Sequence, residues 1–262
     1  MKSKEHAKET LERGIARLAE LQEKLYAQDR WAILIVLQAM DAASKDSTIK
    51  HVMSGLNPQG CHVTSFKAPS SEELQHDFLW RTSRALPERG KIGIHNRSYY
   101  EEVLAVRVHP DFLVRERMPA QLVSDNIWQK RFEEINAFER YLSQNGILPV
   151  KFFLHLSKRE QKKRFLERLE DREKNWKFST NDVKERQYWD KYMQAYEDMV
   201  QNTSSKHAPW HVVPADHKWF TRLVVAEAII DALEGLDLAF PEVDAEGQAE
   251  LEKARKALLS EP

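Results

Sequence analysis

Five short apolar runs, separated by longer helical stretches, constrain the fold of this 262-residue chain more than any other feature. The first run, Ile33 to Gln38, begins with five successive apolar residues, which is typical of a strand covered on both faces. Four further strand candidates follow along the chain: Cys61 to Phe66, Lys91 to His95, Ile147 to Leu156 and Trp210 to Val213. Because strands that alternate with helices build parallel sheets with helical crossovers, this order predicts an α/β fold.

Apolar spacing and capping residues predict the helices between these strands. The string SSEEL supplies an N-cap and first-turn acids for a helix from about Ser71 to about Leu86. The stretch from Pro110 to Pro119 predicts a loop, and the acidic tail from Asp237 is expected to lie on the surface or to fray. The other predicted helical segments cover residues 1–30, 44–53, 98–106, 126–144, 157–203 and 219–236.

Composition excludes several classes of protein. A single cysteine, Cys61, allows no disulfide within the chain and no thiolate zinc site, and it is expected to be a small buried hydrophobe. The apolar run from Trp31 to Leu37 is far shorter than the roughly 20 residues that span a bilayer, and no signal peptide precedes it. We therefore expect one soluble domain over residues 1–262 in the cytoplasm, with no membrane partner.

Charge is balanced overall but segregated along the chain. The 40 basic and 41 acidic residues give a net charge of -1, which by itself would argue against a polyanionic ligand. Residues 158–177, however, hold nine basic and five acidic side chains, whereas residues 231–262 hold three basic and nine acidic ones. Arg164, Arg168 and Arg172 are spaced to share one helix face. This pattern fits either a solvated helix with ion pairs or a hinged lid over phosphates.

Small residues follow the first predicted strand and lead through Lys45 into a helix. Helix N-termini at the carboxyl ends of parallel strands bind anions, and a lysine there adds charge, as in a P-loop. The glycines of the standard P-loop string are missing, since Ala39 and Ser44 occupy those positions, so an ordinary strand-to-helix turn remains an alternative. Asp41 could bind Mg²⁺, orient an attacking phosphate oxygen or cap the helix.

Complementary groups follow the third predicted strand. Arg97 comes directly after Asn96, and the carboxylates of Glu101 and Glu102 follow within one turn. Because the ends of parallel strands meet at one edge of a sheet, these groups are expected to lie near Asp41.

Five segments resemble one family. They are LQAMDAASKDSTIKHVMSGLNPQG (37–60), SFKAP (65–69), NRSYYEEVLAVRVHP (96–110), KRFLERLEDREKNWKFS (163–179) and HAPWHVVPADHKWFTRL (207–223). Together they are similar to the second family of polyphosphate kinases, most of all to its class that accepts both nucleoside mono- and diphosphates. The resemblance covers the chain from about Leu21 to Leu236 and implies a P-loop kinase-like three-layer sandwich. Its five-stranded parallel sheet would be flanked by helices, with a helical lid over residues 157–203.

The resemblance also implies an activity and a site. The terminal phosphoryl group of inorganic polyphosphate would be transferred, reversibly and with Mg²⁺, to an adenine nucleotide, ADP or AMP, by a homo-oligomer (dimer or tetramer) that has no nucleic-acid partner. The implied catalytic residues are Asp41, Lys45, Arg97, Arg168 and Arg172. The implied phosphate-binding residues are Ala42, Ala43, Ser44, Asp46, Ser47, Lys67 and Lys177. Mg²⁺ would be bound by Asp41 together with Glu101 or Glu102, between which the sequence does not choose.

Three positions depart from the family pattern. Ser44 and Ser47 stand where glycine is usual or frequent, and Asn96 stands where other classes carry an aspartate. Glycine tolerates positive φ freely, so Ser44 could restrict how the loop wraps a phosphate. Two alternatives therefore stay open at this point: an ATP-dependent nucleoside or nucleotide kinase on the same scaffold, and a polyphosphate-binding protein with impaired transfer.

Overall fold

A single five-stranded parallel sheet organises the chain, whose computed structural model describes residues 4–173 and 175–261. The strands are β1 (Ala32–Gln38), β2 (Cys61–Ser65), β3 (Ile92–Asn96), β4 (Ile147–His155) and β5 (Trp210–Pro214). Their spatial order is β2-β3-β1-β4-β5, and every neighbouring pair is parallel. The predicted α/β fold with five parallel strands is confirmed.

Helices connect and cover the strands. They are α1 (Lys4–Gln28), α2 (Lys45–Val52), α3 (Trp80–Ser83), α4 (Ala105–Val108), α5 (Pro110–Arg115), α6 (Ile127–Gln144), α7 (Lys158–Glu170), α8 (Thr180–Glu185), α9 (Trp189–Thr203), α10 (Lys218–Glu234) and α11 (Ala245–Leu259). In the part of the chain that the structure describes, none of them is long and apolar enough to cross a membrane.

Successive residues of β1 pack on opposite faces of the sheet, which creates two apolar cores. Ile33 and Ile35 lie in a cluster with side chains of α1 and α10, whereas Leu34 and Val36 lie in a second cluster with side chains of α6 and α9. All seven residues of β1 are buried, as expected for a central parallel strand. The sheet is thus the middle layer of a three-layer sandwich, and the carboxyl ends of its strands remain free to build a site.

A buried ion pair lies within the second core. Lys151 of β4 and Glu139 of α6 both have fully buried side chains, with 2.6 Å between Nζ and Oε2. Lys151 Nζ also donates to the hydroxyl of Tyr100 and the carbonyl of Thr203, while the hydroxyls of Tyr99 and Tyr100 donate to Glu139 Oε1. All three Nζ protons therefore have acceptors, and the network fixes the turn that follows β3.

Cys61 begins the edge strand β2 and is partly buried against the first core. Its Sγ accepts a hydrogen bond from Gln22 Nε2 at 3.2 Å. Burial raises the pKa of the Cys61 thiol to about 11, so the thiol stays protonated near neutral pH.

The helix expected from about Ser71 to Leu86 is wrong. Ser70 and Glu73 form a reciprocal capping box, but it supports only a 3₁₀ turn at Glu73–Gln75. Asp77 then accepts a hydrogen bond from the backbone N–H of Leu79, and a separate short helix, α3, begins at Trp80. Asp side chains compete for backbone donors in this way and interrupt helices.

One further expectation is wrong, and the tail, which lies on the surface as expected, is more regular than the sequence indicates. The stretch after Pro110 forms the short helix α5, with the proline at its first position, where a missing N–H costs nothing. The acidic tail is also helical: Asp244 accepts a hydrogen bond from the N–H of Gly247 and starts α11. No described residue of α11 is buried, so this helix lies on the surface without contributing to either core.

Candidate active site

The loop between β1 and α2 has a left-handed backbone at two residues that are not glycine. The φ angles are 65° at Ala42 and 72° at Ser44. Each such residue costs roughly 1–2 kcal/mol relative to a right-handed conformation. Ser44 thus adopts a conformation that glycine would adopt more easily.

Side chains from α7 hold the outer face of this loop. Arg164 Nη1 donates to the carbonyl of Ala42 (2.9 Å) and to Ser44 Oγ (3.3 Å), and Gln161 Nε2 donates to the carbonyl of Asp41 (3.0 Å). The Arg164 side chain is only 6% exposed. Arg164 therefore fits neither interpretation of the charge run, the solvated helix face or the lid over phosphates, because this guanidinium is directed into the body of the protein.

Asp41 and Arg97 meet at the edge of the sheet, as predicted from the two strand ends. β1 and β3 are hydrogen-bonded neighbours, and Arg97 Nη2 lies 2.9 Å from Asp41 Oδ1. Both side chains stay partly open to solvent, at 41% for Arg97 and 32% for Asp41. Burial lowers the pKa of Arg97, but Glu101 and Asp41 outweigh it and the net shift is upward. The arginine is therefore a fixed positive charge in this position.

Lys45 is the first residue of α2 and points back across the loop. Its Nζ donates to the carbonyl of Ala39 at 2.9 Å. Burial lowers the pKa of Lys45, with a further lowering from Arg97 that Asp41, Glu101 and Asp46 only partly offset. An anion beside this ammonium group would relieve that penalty, so Lys45 and the helix N-terminus together suit a phosphate.

Glu101 and Glu102, between which the sequence does not choose as a ligand of Mg²⁺, have different surroundings. Glu102 is 5% exposed and accepts a hydrogen bond from Arg131 Nε at 2.8 Å. Glu116 shares the same arginine, and burial together with Glu102 raises the pKa of Glu116 to about 8. Both glutamates line the cavity described below, but only Glu101 acts electrostatically on Arg97, which pairs with Asp41. Of the two, Glu101 has the position of a cation ligand.

The remaining predicted loop residues surround the start of α2. Asn96 Nδ2 donates to Asp46 Oδ1 at 2.6 Å, so the amide that replaces an acid ties β3 to α2. Ser47 Oγ accepts a hydrogen bond from Arg222 Nη2 of α10 at 2.9 Å, and Ala43 is buried. Lys67 lies further out, after β2, where its carbonyl accepts a hydrogen bond from Arg81 and it lines the cavity.

The predicted lid arginines separate in the structure. Arg168 Nη1 lies 3.8 Å from Asp182 Oδ2 of α8. Arg172 follows the end of α7 and is exposed, so the predicted common helix face of three arginines is wrong. The helix ends because Asp171 leaves it and accepts a hydrogen bond from the N–H of Glu173. The side chain of Lys177 lies outside what the structure describes.

A cavity of about 460 Å³ lies between the carboxyl edge of the sheet and helices α8 and α9. Asp41, Arg97 and Glu101 line its floor, and Asp182 and Tyr192 line it from the helical side. Its outer part is apolar and aromatic, with contributions from Phe66, Phe78 and Phe112. A charged floor beside an apolar wall suits a phosphorylated ligand that also carries a planar ring.

Sequence reasoning missed several of these groups. Gln161 and Arg164 lie in a charge run, where spacing alone does not distinguish a side chain directed inward from one directed outward. The motif HKWFTRL did contain a signal, because its Lys218 and Arg222 lie on the first turns of α10, where Arg222 donates a hydrogen bond to Ser47. Asp182 carried no distinguishing pattern in the sequence.

The carboxylate oxygens at the sheet edge are of the kind that Mg²⁺ prefers. Within residues 4–173 and 175–261, no three His, Cys, Asp or Glu side chains converge to form a metal site. Mg²⁺ commonly uses only one or two carboxylates and completes its shell with water and substrate phosphates. Asp41 and Glu101 line the same cavity and meet that requirement.

The sheet order, the strained loop leading through Lys45 into α2 and the cavity with charged side chains at the strand ends define a P-loop kinase-like protein. Residues 1–241 match the family model described as polyphosphate kinase 2. The chain belongs to the polyphosphate kinase 2 family.

Relatives and a solved structure agree with this assignment. The chain is 55% identical over 258 residues to an ADP-polyphosphate phosphotransferase of Rhodopseudomonas palustris, covering 98% of this chain and 89% of the relative. It is 45% identical over 226 residues to an AMP/ADP-polyphosphate phosphotransferase of Meiothermus ruber, covering 86% and 80% of the two chains. The crystal structure of polyphosphate kinase 2 from Arthrobacter aurescens TC1 superposes with a TM-score of 0.89 at 42% identity, covering 98% and 88%.

Proposed function

We propose that this protein transfers the terminal phosphoryl group of inorganic polyphosphate to ADP or AMP in the presence of Mg²⁺. The observation that carries the proposal is the Asp41–Arg97 pair, 2.9 Å apart beneath the cavity and next to Lys45. Phosphoryl transfer depends mainly on positioning and charge neutralisation, and this arrangement offers both. The names of the relatives from Rhodopseudomonas palustris and Meiothermus ruber supply the substrate class.

Each residue then has a defined part in the reaction. The loop and Lys45 hold the phosphates of the donor, and Arg97 stabilises charge on the transferred group. Asp41 orients the accepting phosphate, and Asp41 and Glu101 would bind Mg²⁺. The bound ion would supply neutralisation of the phosphoryl oxygens. Arg168 would close the site from above once it leaves Asp182 for a phosphate.

Basic side chains of α10 lie next to the loop, where the rest of the polyphosphate chain would continue. Lys218 and Arg222 stand on α10, with Arg222 donating to Ser47. Burial lowers the pKa of Lys218, and Arg164 and Arg222 lower it further, while Glu167 and Glu160 partly offset this lowering. Polyphosphate carries no sequence to read, so point charges and counterion release suffice, and the KM for polyphosphate should rise steeply with salt.

One assay with defined donors tests the proposal. Purified protein, Mg²⁺ and AMP or ADP are incubated with polyphosphate or with ATP, and the products are separated by chromatography. Product with polyphosphate is expected; product only with ATP would favour an ATP-dependent kinase, and binding of polyphosphate without product would favour a binding protein. Asp41→Asn should lower kcat by about 100-fold or more, the usual cost of losing an orienting carboxylate. Asp190→Asn, at an exposed residue of α9 outside the cavity, is the matched control.

The assembly state is a separate part of the proposal. The chain is proposed to form a homo-oligomer, dimer or tetramer, in the cytoplasm. Light scattering coupled to size exclusion measures its mass directly, and a monomer at micromolar concentration would contradict this part alone.

A further inference from the structure

Arg164 is a buried guanidinium that binds almost entirely to uncharged acceptors. Nη1 donates to the Ala42 carbonyl and Ser44 Oγ, and Nη2 donates to the carbonyls of Ala215 (2.8 Å) and Asp216 (2.9 Å). Its Nε lies 3.0 Å from Glu160 Oε1. One side chain therefore joins the loop after β1 to the loop after β5, across the carboxyl end of β4, which lies between them.

Gln161 extends the same contact by one peptide unit. Its Nε2 donates to the carbonyl of Asp41, and its Oε1 accepts a hydrogen bond from Arg186 at 2.6 Å. Two successive carbonyls of the loop, at Asp41 and Ala42, are thus turned toward α7. Because a peptide bond is planar and trans, the N–H of Ala42 points the opposite way from the Asp41 carbonyl.

Arg164 contacts the loop at the two residues whose backbone is strained. Ala42 and Ser44 have positive φ angles without being glycine, so the loop by itself would favour other conformations. A strained backbone persists only where its surroundings determine it. Arg164 binds at both strained residues, to the carbonyl of one and the hydroxyl of the other.

We propose that Arg164 and Gln161 are positioning residues that hold the phosphate-binding loop in its strained conformation before any substrate arrives. That the loop binds polyphosphate rests on the proposed function, whereas the stabilisation of the loop by Arg164 and Gln161 does not. The start of α7 thereby belongs to the floor of the site, since Phe165 is buried and the N–H of Ser157 donates to Asp216.

Hydrogen exchange of the full-length protein without substrate tests the hold directly. Arg164→Lys keeps the charge but cannot reach acceptors in two loops, and Gln161→Met keeps the length but loses the donor. Lys163→Met, which removes an exposed charge on the same helix, is the matched control. Both test variants should exchange faster in a peptide covering residues 39–46 than the wild type does, with the strands unchanged, and the control should match the wild type.

Kinetics provide the second readout. Arg164→Lys should raise the KM for polyphosphate by about 10-fold, the usual effect of losing a charged hydrogen bond, while the KM for the nucleotide stays within about two-fold. A merely structural role would lower the active fraction and kcat and leave both KM values unchanged. Unchanged exchange at residues 39–46, or equally faster exchange throughout the sheet, would overturn the proposal. If the wild type proves inactive with polyphosphate, the proposed function fails, yet the exchange result still decides this inference.

Discussion

Replacing Lys151 by methionine should test how much the buried ion pair contributes to stability. Methionine keeps nearly the same length and volume but removes the ammonium group, whose Nζ lies 2.6 Å from Glu139 Oε2. The carboxylate of Glu139 would then be buried without a counter-charge. Removing one partner of a buried pair usually costs about 3–5 kcal/mol, mostly because the other charge is stranded.

The contacts of Glu139 place the expected value near the low end of that range. The hydroxyls of Tyr99 and Tyr100 would still donate to Glu139 Oε1, so the carboxylate would keep two hydrogen bonds. We therefore expect a loss of about 3 kcal/mol, which for a chain of this size lowers Tm by about 6–12 °C.

Urea unfolding at neutral pH, followed by circular dichroism, measures this loss. The double variant Lys151→Met with Glu139→Gln should recover part of it, because the stranded charge is then gone. Lys8→Met makes the same substitution at an exposed pair with Glu12 and should leave the urea midpoint unchanged. If Lys151→Met loses less than about 1 kcal/mol, or the double variant is no more stable than the single one, stranding of a buried charge is not the cause.

The other expected outcomes concern pH, cation binding and the tail. Burial lowers the pKa of His95 from 6.5 to about 4, so between these values the unfolded chain takes up a proton that the folded chain does not. The free energy of unfolding should fall by up to about 3 kcal/mol as pH drops through this window, and His95→Asn should flatten the slope in urea titrations. Glu101→Gln should raise the Mg²⁺ concentration for half-maximal activity, whereas Glu102→Gln, which weakens the pair with Arg131, should lower Tm without that shift. Deleting residues 245–262 should change neither the urea midpoint nor the rate of transfer, because no described residue of α11 is buried; a lower midpoint would show that α11 packs on the body.

The strands could be predicted because burial on both faces leaves a simple mark in the sequence. Apolar runs such as Ile33–Leu37 suit a strand between two layers of helices, and all of β1 is indeed buried. The meeting of Asp41 and Arg97 followed from the same logic, since parallel neighbouring strands end at one edge. The strand positions and the meeting of residues at the strand ends could therefore be predicted from the sequence.

The direction of a charged side chain was not accessible in the same way. Arg164, Arg168 and Arg172 have equal spacing, yet the first is buried, the second pairs with Asp182 and the third lies beyond the helix. These outcomes depend on acceptors far away in sequence, such as the carbonyl of Ala42, and on one local hydrogen bond that ends α7. The spacing of the arginines along the sequence predicts neither the distant acceptors nor the end of the helix.

The low reactivity of Cys61 makes it practical to label the α7–α9 segment with dyes and to measure its movement. With a thiol pKa of about 11, only roughly one molecule in ten thousand carries the reactive thiolate at pH 7. A cysteine introduced at exposed Glu170, the last residue of α7, and another on α11 would therefore react with maleimide dyes far faster than Cys61 does. Distance changes between the two dyes could then be followed during turnover in a protein that keeps its native cysteine.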